Sequence, residues 1–151
     1  MLRQKKHTVS GRAGQLGTSG AGQIAKAANQ IMVSAQMVAM GELLMLAKKS
    51  GADPKRVMTA TRAGAAQCWV LDHKPQCLFA GERRSGFKAA MQFKDLNIVM
   101  ETEREYGIPL PMTAVITQLY ASMCEMGIEA LDNSAAIGVI EKLAGAEFLT
   151  S

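Results

Sequence analysis

The sequence predicts an all-α, multi-helical domain, and three observations carry that expectation. The 151 residues are 48% hydrophobic but only 5% aromatic, with Ala, Leu, Met, Gly and Ile dominating, a composition that suits packed helices better than a β-sandwich. Apolar residues recur at helical spacing in long runs, and no stretch shows the alternation of a strand. The runs are punctuated by Gly, Pro and Asp where helices begin and end. A chain of this length buries an ordinary core as one unit without disulfide or metal support.

Residues 1–22 are polar and rich in Gly, Ser and Thr, with Gly11, Gly14, Gly17, Gly20 and Gly22 breaking any apolar period. They read as a loop, with residues 1–20 a flexible or interdomain lead to a helical domain over 21–151. From Ile24 to Lys49 the chain is almost unbroken helix former and apolar on several faces, which predicts a long, mostly buried helix ending before Gly51. Asp53 before Pro54 starts a second helix, since the carboxylate caps free N–H groups and proline fits the first turn; Gly64 closes it. A third is expected from near Gln67 through Trp69, Val70 and Leu71, stopping before Pro75, with an exposed loop from Gly81 to Gly86. Met91, Leu96, Val99 and Met100 mark a fourth helix ending at Gly107, and Pro109 and Pro111 force an extended link. A fifth runs from about Met112 to Met126, and Asp132, Asn133 and Ser134 offer an N-cap for a sixth carrying Ile137, Ile140 and Leu143.

The net charge of +4 is spread thinly, with basic residues at Arg3, Lys5, Lys6, Arg83 and Arg84 and no aromatics beside them, which argues against a nucleic-acid surface. Cys68, Cys77 and Cys124 form no C-x-x-C pair, and His7 and His73 lie at no ligand spacing from them, so reduced thiols and no metal site are expected. Neither a signal-peptide h-region nor eighteen uncharged apolar residues in a row is present, and the default expectation is a cytoplasmic protein without a membrane span.

Chemistry is most legible in Gly20-Ala21-Gly22-Gln23-Ile24-Ala25-Lys26-Ala27-Ala28-Asn29-Gln30. Lys26, Asn29 and Gln30 project from one side of the first helical turns. A lysine there can donate a proton or bind an anionic oxygen, and a neighbouring amide can fix a hydroxyl or carboxylate. Spacing alone favours a solvated Lys26 and amides satisfying the backbone. The glycines fit neither phosphate loop, because no Lys directly follows Gly22 and no strand precedes them. A second segment, Gly86-Phe87 followed by Lys94-Asp95-Leu96, joins an exposed loop to a helix with adjacent opposite charges, and by itself reads as a solvated pair.

Taken in order, G-x-G-x-x-x-K-x-x-N-Q, then G-F, K-D-L, G-I-P-L-P and D-N-S-A resemble the β-hydroxyacid dehydrogenase family over about residues 14–145. That family includes 3-hydroxyisobutyrate dehydrogenases and 2-hydroxy-3-oxopropionate (tartronate semialdehyde) reductases. The resemblance implies a fold like the C-terminal domain of 6-phosphogluconate and 3-hydroxyisobutyrate dehydrogenases, packed behind a Rossmann domain that this sequence lacks.

The resemblance also implies roles. Lys26 would be the catalytic acid/base during hydride transfer between NAD or NADP and a small hydroxyacid or its semialdehyde. Asn29 or Gln30 would bind substrate, Gly20 and Gly22 would let the backbone approach it, and Phe87 would line the pocket. Lys94 would lie near the cofactor, with Asp95 supporting the geometry. The expected partners are a missing or separate nucleotide-binding domain and a second copy in a homodimer, with little activity or tight cofactor binding expected of this chain alone. The rival expectation is a helical self-association module that has lost catalysis. Departures from the family pattern are the absent nucleotide-binding half, the stretch Met1 to Thr18, and Glu129-Ala130-Leu131-Asp132-Asn133, where members often carry a Gly/Asp/His-rich turn.

Overall fold

The computed structural model describes residues 20–82 and 86–149. Most of the expected N-terminal lead, including Gly11, Gly14 and Gly17, lies outside them, as do Arg83 and Arg84 of the expected loop. The described residues form helices and turns with no strand; a single bridge pairs Lys88 with Asp132. This is the all-α, multi-helical architecture expected from the composition.

Helix α1 (Ala21–Lys49, 29 residues) is the axis of the molecule, about 44 Å long at 1.5 Å per residue. It begins three residues before the expected start, immediately after Gly20, whose φ of 96° is a left-handed conformation that glycine adopts without strain. By length and mean hydropathy α1 would suit a membrane span, yet half of its most apolar window is buried against the other helices. Its lower half is a core helix: Met37, Met40, Leu44 and Met45 are at most 4% exposed.

The remaining helices clasp α1 from two sides. On one side lie α2 (Pro54–Arg62), α3 (Trp69–His73) and α4 (Pro75–Phe79). Asp53 caps α2 as expected, its Oδ1 accepting from the Lys55 and Arg56 N–H groups at 2.8 and 3.2 Å. The expected third helix begins at Trp69, and Pro75, read from sequence as a stop, instead occupies the first turn of α4, where its missing N–H costs nothing. Met58, Val70, Leu71 and Leu78 pack from this side onto α1.

On the other side, α5 (Ala89–Tyr106) and α6 (Pro111–Glu125) contribute Leu96, Ile116, Tyr120 and Met123 to a second cluster. Gly107, at φ 64°, ends α5. A short 3-10 turn (Asn133–Ala135), capped by Asp132, leads into α7 (Ala136–Ala144). Helix α7 lies across α1 and touches both clusters through Ile137 and Val139. The approach is close at Gly41, where a Cβ would meet Ile137 Cγ1 at 3.2 Å and Ile140 Cγ1 at 3.3 Å. The result is a rigid lower body from which the first turns of α1 project beside α5.

Candidate active site

The first turns of α1 and the outer face of α5 bound an open groove of about 770 Å³, whose lining includes Gly20, Ile24, Lys26, Gln30, Asp95 and Tyr106. Lys26 and Gln30 are one turn apart on α1, and both reach Asp95 on α5. The Lys26 Nζ lies 3.6 Å from Asp95 Oδ1, with the lysine side chain 65% exposed and the aspartate 10%. Gln30 Nε2 donates to Asp95 Oδ2 at 2.6 Å, inside the fold. An ion pair with one end this exposed is worth about 0.2–1 kcal/mol, so its consequence is placement of the ammonium rather than stability.

Behind Asp95 runs a chain of amides that is exposed at Asn29 and buried at Gln30, Gln92 and Asn133. Gln30 Oε1 accepts from Asn29 Nδ2 at 3.3 Å, while the Gln30 carbonyl receives Ser34 Oγ at 2.8 Å and Gln92 Nε2 at 3.4 Å. Gln92 is fully buried and accepts from Asn133 Nδ2 at 3.3 Å. Tyr120 donates its hydroxyl to the Asn133 carbonyl at 2.9 Å. Burial, and behind it the charge of Asp132, pushes the Tyr120 hydroxyl far above its usual pKa, so it remains a donor.

The Gly86–Phe87 segment is fixed to the same frame. Asp132 Oδ2 accepts from the N–H groups of Gly86 and Phe87 at 3.0 and 3.4 Å, and the Phe87 carbonyl accepts from the Asn133 N–H at 2.8 Å. Asp132 Oδ1 takes Lys74 Nζ at 2.7 Å and both the hydroxyl and the N–H of Ser134. Burial alone would raise the Asp132 pKa, but the hydrogen bonds from Lys74 and Ser134 and the lysine charge outweigh it and hold the carboxyl below its usual value.

The structure therefore gathers Gly20, Lys26, Gln30 and Asp95 around the groove. Gly22 lies within α1, Asn29 is exposed beside Gln30, and neither lines the groove. Phe87 is 36% exposed on its loop, and Lys94 is exposed on α5 without a side-chain hydrogen bond or ion pair among the described residues. Sequence reasoning missed Gln92 and Lys74. Gln92 carried a readable signal, a polar residue inside the apolar pattern of its helix, whereas Lys74 sat unremarked before Pro75. Of the free cysteines, Cys124 is pushed up first by burial and then by Glu129 and Glu125, and so stays a thiol.

Chemically, the groove offers an accessible ammonium held beside a carboxylate, with apolar wall at Ile24 and Ile98. It can place a proton donor against an oxygen of a small polar molecule.

The chain is similar to known proteins over most of its length. A family model described as "NAD-binding of NADP-dependent 3-hydroxyisobutyrate dehydrogenase" matches residues 20–140. The chain is 35% identical over 129 residues to 2-hydroxy-3-oxopropionate reductase of Escherichia coli (strain K12), covering 85% of this chain and 44% of that protein. It is 30% identical over 131 residues to 2-(hydroxymethyl)glutarate dehydrogenase of Eubacterium barkeri, with 86% and 44% covered. It thus spans less than half the length of these curated relatives. A solved structure of Mycobacterium tuberculosis 3-hydroxyisobutyrate dehydrogenase with L-serine superposes with a TM-score of 0.75 at 26% identity, over 83% of this chain and 45% of that one. The crystal structure of a Salmonella typhimurium 3-hydroxyisobutyrate dehydrogenase shares the fold, with a TM-score of 0.76 at 24% identity over 81% and 43% of the two chains. Sequence and fold agree, and the chain belongs to the β-hydroxyacid dehydrogenase family.

Proposed function

We propose that this chain is the helical, substrate-side domain of an NAD(P)-dependent oxidoreductase that interconverts a small hydroxyacid and its semialdehyde, with Lys26 as the acid/base. The observation that carries this is Lys26 itself, exposed at the mouth of the α1/α5 groove yet tethered to the nearly buried Asp95. When bound, the nicotinamide supplies or accepts the hydride. Lys26 Nζ delivers a proton to the carbonyl oxygen during reduction and receives the hydroxyl proton in the reverse direction.

The other roles follow from exposure and chemistry. Asn29 presents its amide next to Lys26 and suits a substrate hydroxyl or carboxylate oxygen. Phe87 lines the substrate side on the loop that Asp132 holds, while Gly20, at the groove, lets the backbone of the first turn come near the substrate. The donor chemistry fits a dinucleotide at its edge, because Lys94 offers an ammonium with no partner among the described residues that can reach a cofactor oxygen. Asp95, one residue on, anchors Lys26. No strand crevice of the kind that binds a pyrophosphate exists among the described residues. We therefore assign the rest of the nucleotide site to a Rossmann domain, in the same polypeptide or a separate one. Met112 and Val115, 54% and 63% exposed on α6, suit the self-association of a homodimer.

The test is Lys26→Ala in the chain joined to a nucleotide-binding domain of the family. Turnover should fall by about 10²–10⁴-fold with the helical circular-dichroism signal and melting temperature unchanged, since the side chain is exposed. Full turnover in the variant would remove Lys26 from the chemistry.

A further inference from the structure

Gln30 has two features that sit badly with a residue reserved for substrate. It is only 8% exposed. Both ends of its amide are already engaged, Nε2 by Asp95 Oδ2 at 2.6 Å and Oε1 by Asn29 Nδ2 at 3.3 Å. Its main chain is held as well, the carbonyl taking donors from Ser34 and Gln92. A substrate oxygen would have to displace a short charge-assisted hydrogen bond, among the stronger contacts a neutral amide can make.

Resting on the assignment of Lys26 above, we propose that Gln30 is a positioning residue that acts on Lys26 through Asp95. A carboxylate held at one oxygen by Lys26 alone could rotate about its side-chain bonds and follow the lysine into solvent. With Oδ2 pinned by Gln30, Oδ1 is left facing Lys26 Nζ, and the ammonium is drawn to one place at the mouth of the groove. Gln92, bonded to Asn133, sets the depth of Gln30 from behind. Since the Asn133 N–H also holds the Phe87 carbonyl, one hydrogen-bonded frame fixes both the proton donor and the Phe87 loop. Asn29, the exposed member of the pair, is then the amide that meets substrate.

Nuclear magnetic resonance on the isotope-labelled full chain tests this without cofactor or substrate. The Gln30 side-chain amide protons should exchange with water about tenfold or more slowly than those of Asn29, with one shifted downfield by the carboxylate. Asp95→Asn should abolish that shift. In Gln30→Met, which keeps length and removes both polar ends, the Lys26 side-chain resonances should move to where Asp95→Asn places them, while backbone resonances beyond α1 and α5 stay put. A purely structural Gln30 would leave Lys26 unmoved. Should Gln30→Met fail to fold, Gln30→Asn, whose shorter side chain withdraws the amide from Asp95, gives the same reading of the Lys26 resonances. Rapid exchange equal to that of Asn29, or Lys26 resonances indifferent to Gln30→Met, would overturn the proposal. The outcome is separate from the acid/base assignment, which the turnover of Lys26→Ala decides.

Discussion

Asp132 shows how one residue can organise a site it does not enter. Its carboxylate collects Lys74, Ser134 and the Gly86 and Phe87 N–H groups, and the Lys74 and Asp132 side chains are 14% and 7% exposed. Removing one partner of such a pair leaves the other charge buried without compensation, which costs about 3–5 kcal/mol. Its pKa is depressed in the folded chain, so the stabilisation is fully present above the unfolded value of about 3.9 and is lost as pH falls through the folded-state pKa. Urea unfolding should therefore show Asp132→Asn strongly destabilised at pH 7, with the gap to the natural chain narrowing as both are taken well below pH 3.9. A gap that stays constant across this range would mean that the ionised carboxylate is not what holds the loop.

The elements show what the sequence made legible and where it was silent. The span of α1, the Asp53-Pro54 start of α2 and the Gly107 end of α5 were readable because capping and termination are local, set by residues within a few positions of one another. Helix α4 was not, because proline at position 75 serves equally as a stop or as a first-turn residue, and only the burial of Leu78 in the core cluster decides. Lys26, Gln30 and Asp95 were legible as motif positions, but their convergence was not. Gln30 and Asp95 are 65 residues apart in sequence and Asn133 and Gln92 are 41 apart, and periodicity carries no information at that range. The same limit hid Gly41, a helix-interior glycine whose reason is α7. A larger side chain there meets Ile137 and Ile140 at 3.2–3.3 Å, and overpacking of this kind costs about 1–3 kcal/mol. Gly41→Leu should lower the melting temperature by several degrees, whereas Lys49→Leu at the exposed end of the same helix should not. Equal melting of Gly41→Leu and the natural chain would show that α7 does not seat as closely as described.

At the scale of the molecule, the fold separates a rigid body from a working edge. The two core clusters occupy the lower part of α1 and leave its first turns, with Ile24 48% and Tyr106 61% exposed at the groove rim, as an incomplete wall. On the proposed reading, Lys26 and the Phe87 segment are preset by this frame, and a second domain would supply the crevice for a dinucleotide. Calorimetric titration of NADH and NADPH, first into this chain alone and then into the chain joined to a nucleotide-binding domain of the family, reads out this division of labour. Saturable heat should appear only in the joined protein. Saturable binding of either dinucleotide to this chain alone would overturn that division, because the helical domain would then carry a complete nucleotide site of its own.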